Sequence, residues 1–419
     1  MSKEVPITSL AHAAGLQTEW TDYRGVQRQT SDEVMRQVLQ TMGIACATPA
    51  QRADSLAQLR ESAQRSDDAL LISSISEPLR YPRAAGQVFR VELEEHGVLD
   101  GRVDSDGALP LICRLGYHRL TIGNEAPRML AIAPTRCFGV GDLVGPRRLY
   151  GLAVQVPSLR RRGDAGLGDL GAVAQLGVSA AGQGCDALAL SPLHAMFGAL
   201  PAQFLPYAPN SRLQLSPLLA DPAAVFGESR VQDCIDRHGW RREFDALEAL
   251  PLIDVERSVA LKSQLLRQLH AQLDASGRRE AFETYLAAAP ARTHEHAAFE
   301  TLHRHFTQNR SSTRDWPTWP LAFRDPHGTQ VAAFVREHAA EYDYALFEQW
   351  IAHESLRSTQ RQLRDAGMAI GVIGDLATGT DGKGSQAWSR QRDMLVGLDI
   401  GAPPDPMNPH GQNWGLTAL

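Results

Sequence analysis

No two cysteines in this chain lie close enough to share a task. The five, Cys46, Cys113, Cys137, Cys185 and Cys234, are far apart and form no Cys-x-x-Cys. Their odd number and wide spacing exclude a zinc ribbon and favour reduced thiols over a disulfide framework. No uninterrupted apolar run is long enough to span a bilayer, and the start, Met1-Ser-Lys-Glu-Val-Pro, has no apolar h-region, so a soluble, cytoplasmic protein with no membrane partner is expected. Dense Lys/Arg blocks are also missing. With a formal charge of −6 over 419 residues, nucleic acid is an unsuitable partner. Neither internal repeats nor low-complexity runs are visible.

What is present is ordinary globular material. An apolar content of 43% supports a sizeable core, and a chain of this length is expected to form about two or three domains. Residues 1–68 read as helical: Ser31-Asp-Glu-Val-Met-Arg-Gln-Val-Leu-Gln-Thr-Met-Gly43 offers a Ser N-cap, acids in the first turn and a closing Gly. Val34, Leu39 and Met42 are taken as its apolar side. Residues 69–147 shorten to a two-residue period, with strands expected at 87–93, 109–113 and 118–122, and so an antiparallel, β-sandwich-like domain.

From 148 to 419 the pattern becomes strand–helix–strand. Gly151–Val156 suits a buried parallel strand. Asp169 can cap a helix in which Leu170, Val173, Ala174, Gly177, Val178 and Ala181 recur at helical spacing, Gly184 ends it, and Ala187–Leu190 is the next strand. Residues 220–340 are polar and helical. A longer helix carrying Phe347, Trp350 and Ile351 then leads into the strand Met368–Ile373. Such βαβ units fit doubly wound sheets and (β/α)₈ barrels alike.

In α/β folds, ligands meet the residues just past the C-terminal ends of parallel strands. Those positions hold Pro157-Ser-Leu-Arg160, then Ser191-Pro-Leu-His194 leading to Pro206-Tyr207-Ala-Pro-Asn-Ser-Arg212, then Gly374-Asp375-Leu376. A Tyr ring, an imidazole and a carboxylate suit polyhydroxylated ligands, by stacking and by bonding hydroxyls. Residues 401–419, with Asp405, Asn413 and Trp414, read as a polar, aromatic, Pro/Gly-shaped loop able to cover a sugar cleft.

The same stretches carry a resemblance. Ser191-Pro-Leu-His194 with Pro206-Tyr207-Ala-Pro-Asn-Ser-Arg212 resembles the N-P-L-H…S-P-Y-S-P-S-S-R pattern of the 4-α-glucanotransferases (amylomaltases, glycoside hydrolase family 77). Gly371-Val-Ile-Gly-Asp375-Leu-Ala-Thr-Gly379, Phe347-Glu-Gln-Trp350 and Asn413-Trp414-Gly415 are similar to further landmarks of that family, in the same order. Leu205 stands where Ser is frequent, and Gly374 where many relatives carry Arg.

The resemblance implies an incomplete (β/α)₈ TIM barrel, its first three strands plus a helical insertion at about 220–340, preceded by the helical region and the β domain. It implies transfer of α-1,4-glucan segments between a maltodextrin donor and acceptor with retention, through an Asp nucleophile, a Glu acid/base and a stabilising Asp. In retaining enzymes the two reacting carboxyls stand roughly 5 to 5.5 Å apart. The family's nucleophile lies in an Arg-x-Asp-His segment, and none occurs in this chain. All three catalytic carboxylates are therefore expected beyond Leu419, leaving Tyr207, Asp375, Asp405, Trp414, Asn413 and His194 as substrate-binding candidates. A non-catalytic glucan-binding or degenerate protein, and an amylase-type hydrolase, remain as alternatives.

No cofactor is implied. His294, His296, His303 and His305 stand at i, i+2 within each pair, a spacing that turns helical side chains to different faces, so a solvated surface is expected rather than a metal site. Arg160-Arg-Arg162 is expected as a solvated loop, and Trp316, Trp319 and Trp350 as core.

Overall fold

The computed structural model describes residues 4–65, 70–200, 203–309 and 314–418; the boundary expected at 68/69 lies outside these residues. Two compact units form, one from Met1–Thr18, Ser31–Leu39 and Ile44–Arg147, the other from Glu19–Thr30, Gln40–Gly43 and Arg148–Leu419.

The chain opens with α1 (Ile7–Ala13), a hairpin of β1 (Glu19–Thr21) and β2 (Gln27–Gln29), α2 (Asp32–Thr41) and α3 (Pro49–Arg65). Ser31 Oγ accepts the Val34 N–H at 3.3 Å, so the expected N-cap forms. The buried side of α2 differs from the expectation. Met35 and Leu39 pack with Leu10 and Leu56, while Val34 is 48% exposed; the i, i+4 pair wins because it lies on one helix face.

Strands β3 (Leu70–Ser74), β4 (Val88–Glu92), β5 (Val98–Arg102), β6 (Gly116–Ile122) and β7 (Arg128–Ala133) make one sheet in the order β3-β7-β6-β4-β5. It is mixed rather than antiparallel, since β3 runs parallel to β7, and it is a single sheet rather than a sandwich. Phe89, Val91, Leu120, Ile122, Leu130 and Ile132 fill one face, while Val88 and Tyr117 lie exposed. Residues 109–113 are not a strand. Leu109 and Ile112 are buried from an irregular segment, in which Pro110 has no N–H to give a ladder. Helix α4 (Val140–Val144) follows.

The second unit contains β8 (Gly151–Val154), α5 (Leu170–Ala181), β9 (Ala187–Leu190), β10 (His194–Ala195) and β11 (Ser211–Leu215). A helical stretch follows: α6 (Ala223–Phe226), α7 (Glu228–Arg237), α8 (Arg241–Glu248), α9 (Val255–Ala271), α10 (Arg279–Ala288), α11 (Ala291–Asn309), α12 (Thr329–Glu337) and α13 (Ala339–Asp365). Then come β12 (Gly371–Gly374), α14 (Ser385–Ser389), β13 (Leu395–Ala402) and β14 (Gln412–Ala418).

Asp169 caps α5 by accepting the Ala172 N–H at 3.0 Å. Gly177 lets α5 press against α13: a Cβ there would fall 2.0 Å from Leu363 Cδ2. Together these helices cover the sheet β12-β9-β8, all parallel. Only β9 is buried along most of its length. Leu152 of β8 and Ile373 of β12 are 40% and 46% exposed, against the expectation of buried strands, because each flanks β9 on one side and, among the described residues, has no strand on the other.

Trp350 lies in a core with Phe347 and Phe282, and Trp316 and Trp319 lie in another with Phe299 and Trp388. The arginine run is not simply solvated. Arg161, its side chain only 7% exposed, donates to both oxygens of Asp169 and to Asp221, each at 2.8 Å. Two carboxylates already saturate its guanidinium, which removes it from any phosphate role.

Candidate functional site at the strand ends

The register aligns Val154, Leu190 and Gly374 across the parallel sheet, so Gln155, Ser191 and Asp375 leave it at one level. Past them opens a cavity of about 550 Å³ lined by Val154, Gln155, Ser191, Tyr207, Gly374 and Asp375 among others. Tyr207 is 58% exposed and Asp375 is also exposed. A ring face and a carboxylate thus remain available to a ligand. Ser191 Oγ is committed, accepting the Val156 N–H at 3.1 Å and latching the first loop to the second strand.

The loop after β12 is held from below. His194 is buried and its Nε2 accepts the Ala377 N–H at 3.2 Å, which makes Nδ1 the protonated nitrogen. Burial pushes the imidazole below its usual pKa, with Arg212 acting the same way and Asp375 opposing them; neutral His194 can therefore serve as acceptor. Arg212 Nη1 donates to the Ala377 and Thr378 carbonyls, both at 3.0 Å, while its buried Nε has no partner among the described residues. Thr380 Oγ1 donates to the Pro209 carbonyl at 2.7 Å. The Tyr207 segment and the Asp375 segment are thus zipped into one assembly.

Asn210, fully buried, anchors that assembly. Its Oδ1 accepts the Ser385 N–H and its Nδ2 donates to Glu300 Oε1 at 2.6 Å. Glu300 lies 3.7 Å from Arg304, which also pairs with Glu348. Burial pushes the Glu300 carboxyl up to about 7, with Arg304 opposing. Gln360 of α13 sets the entry to β12: it accepts the Val372 N–H at 2.7 Å and donates to the Ile370 carbonyl at 3.0 Å, beside Gly371 at φ +85°. Sequence reading missed Gln155, Glu300 and Gln360. Glu300 and Arg304 at i, i+4 look like a solvated helix pair, and nothing local distinguishes a buried one.

Within the stretch expected as a covering loop, β14 (Gln412–Ala418) pairs with β13 as a hairpin. Asp405, Asn413 and Trp414 do not line the 550 Å³ cavity. Asp405 Oδ1 accepts the Met407 and Asn408 N–H groups at 2.8 and 2.7 Å, and these bonds, Asn408's first, hold its carboxyl below the usual range. Asn413 donates to Asp399 at 2.9 Å and Trp414 to Gln412 at 3.1 Å, with the indole 42% exposed. The hairpin reaches the Asp375 segment through the Thr417 N–H, which donates to the Thr380 carbonyl at 2.8 Å.

The histidine expectation is corrected. His296 and His303 of α11 are buried, because that helix is enclosed by packed elements rather than lying on the surface. His296 Nδ1 pairs with Ser385 Oγ at 2.7 Å. Burial pushes the two rings down to about 3 and about 4, so both are neutral at neutral pH. Among the described residues no cluster of His, Cys, Asp and Glu could hold a metal, and no helix is long and apolar enough to cross a membrane.

Comparison with known proteins converges on one family. The family model described as 4-alpha-glucanotransferase matches residues 154–419. A 4-alpha-glucanotransferase of Mycobacterium tuberculosis is 31% identical over 444 residues, covering 97% of this chain and 60% of that protein. One of Haemophilus influenzae is 28% identical, covering 83% of this chain and 53% of its own length. The chain thus spans between 53% and 60% of the length of these relatives. Among solved structures, an amylomaltase from Corynebacterium glutamicum superimposes with a TM-score of 0.78 at 23% identity, over 98% of this chain and 60% of that one. An amylomaltase from Streptococcus agalactiae, in complex with acarbose, does so with 0.54 at 17% identity, over 65% and 53%. The mixed α/β fold is therefore that of amylomaltase, and the chain belongs to glycoside hydrolase family 77, the 4-alpha-glucanotransferases.

Proposed function

We propose that residues 1–419 provide the donor- and acceptor-binding half of a cytoplasmic 4-α-glucanotransferase that moves α-1,4-glucan segments between maltodextrins with retention. The observation that carries the reading is the cavity where Tyr207 and Asp375 meet at the C-terminal end of β8, β9 and β12. An exposed phenol ring can stack on a glucose face, and a free carboxylate can accept its hydroxyl protons. His194 acts through the loop it holds, and Trp414 and Asn413 approach the same ligand from the hairpin, with Asp405 shaping its tip.

In this reading β8, β9 and β12 are the first three strands of a (β/α)₈ barrel, with α6–α12 inserted between the second and third. A helical region at 1–68 and a β domain at 69–147 precede it. The parallel order β8-β9-β12, with chain order preserved and helices as crossovers, supports it. The chain contains no Arg-x-Asp-His segment, so the nucleophile and acid/base belong outside these residues.

Titration with maltoheptaose and cellohexaose tests the reading. Saturable binding of the α-1,4 chain alone is expected; equal affinity for the β-1,4 chain, or none for either, overturns it.

A further inference from the structure

Two arginines beside a concavity of the helical region stand without a counter-charge. A cavity of about 500 Å³ opens among α6, α10 and α13, with Arg278, Arg357, Arg361, Glu354, Tyr285 and His353 in its wall. Glu354 is the single carboxylate there, 3.6 Å from Arg357 and 3.5 Å from His353 Nδ1. Among the described residues, Arg278 and Arg361 have no side-chain hydrogen bond or ion pair. Three guanidinium charges thus face one carboxylate in a chain whose overall charge is −6.

Local preferences favour an anion beside these guanidiniums. Arg278 is the N-cap residue of α10, a cation at the positive end of a helix dipole. Arg357 and Arg361 stand one turn apart on α13, where like charges repel. Neighbouring arginines show the usual remedy: Arg279 pairs with Asp274 and Asp343. Among the described residues Glu354 offsets Arg357 alone, and departures from local preference left without an offset point to a binding function.

The chemistry selects the ligand. Guanidinium forks match phosphate oxygens in paired hydrogen bonds, and a helix N-terminus adds backbone donors. A phosphomonoester carries close to two negative charges at neutral pH, the surplus of this wall. Tyr285 and His353, with ring centroids 5.5 Å apart and ring planes tilted by 43°, provide aromatic faces beside it, either of which suits a ring attached to the phosphate.

We propose that this cavity binds a phosphomonoester carried on a ring, either a sugar phosphate or a nucleoside monophosphate. It shares no lining residue with the cavity at the strand ends, so it is a second site for a ligand other than the glucan.

Calorimetric titration of the protein with glucose 1-phosphate and, separately, with adenosine monophosphate tests this. At least one is expected to saturate, and whichever does so identifies the ring; glucose and adenosine give no binding. The double variant Arg278→Gln/Arg361→Gln loses about tenfold or more in affinity, the scale of a charged hydrogen bond. Arg392→Gln, in a different cavity, leaves it unchanged. Because Arg278 and Arg361 are exposed, the double variant should fold, and circular dichroism checks it; Arg361→Gln alone repeats the test if it does not. No saturation by either phosphomonoester, or undiminished affinity in the variants, overturns the proposal.

Discussion

His194 Nε2 accepts the backbone N–H of Ala377 at 3.2 Å across 183 residues of sequence, and this bond fixes the height of the loop that carries Asp375. Replacing the ring by an apolar side chain leaves a buried N–H unpaired, a loss of about 1–3 kcal/mol. His194→Leu should lower the denaturant midpoint and weaken maltodextrin binding together. A loss of stability with unchanged binding would separate the loop from the ligand.

Tyr207 tests contact without such a structural cost. Its ring is 58% exposed, so Tyr207→Ala should unfold at the wild-type temperature while binding maltodextrin more weakly by ~1–2 kcal/mol, the scale of one aromatic contact and one hydrogen bond. Unchanged affinity would make the ring a bystander.

The 1–419 polypeptide by itself should not disproportionate maltotriose. Loss of nucleophile and acid/base removes many orders of magnitude in rate, and no Arg-x-Asp-His segment is present. Glucose release persisting in protein purified free of host transferases would show that other carboxylates do the chemistry.

Strands β8 and β12 each pair with β9 on one side only and expose Leu152 and Ile373. Apolar strand edges recruit further strands. The polypeptide should therefore elute as self-associated species on size exclusion, and limited proteolysis should leave a resistant N-terminal piece ending near Arg147, the edge of the first compact unit. A monodisperse monomer protected equally throughout would refute both expectations.

His296 predicts a pH dependence. Its folded pKa, about 3, lies below the ordinary histidine value near 6.5, so the unfolded chain binds the extra proton between these values. Its contribution to stability is present above about 6.5 and is lost as pH falls toward about 3. Glu300, raised to about 7, runs oppositely: its contribution is largest below the ordinary carboxyl value near 4.5 and lost as pH rises through 7. Comparing wild type with His296→Asn isolates the first slope: thermal unfolding midpoints should fall more steeply with acid in the wild type. Parallel curves would contradict a buried, neutral His296.

The sequence by itself determined the local events. Ser31 and Asp169 cap helices because a short side-chain oxygen reaches the backbone N–H three residues on, whatever surrounds it. The Ala187–Leu190 run specified a buried parallel strand, and the order of Tyr207, Asp375 and Trp414 specified a family. Burial of helix faces was decided only in three dimensions. His296 and His303 read as a solvated surface, yet tertiary packing encloses α11 together with Glu300 and Arg304, and paired charges and hydrogen bonds make that enclosure tolerable. The hairpin at Asn413 and the parallel β3–β7 pair likewise depend on partners remote in sequence. Periodicity reports how one segment divides its own faces, whereas the identity of what covers each face is a long-range property of the whole chain.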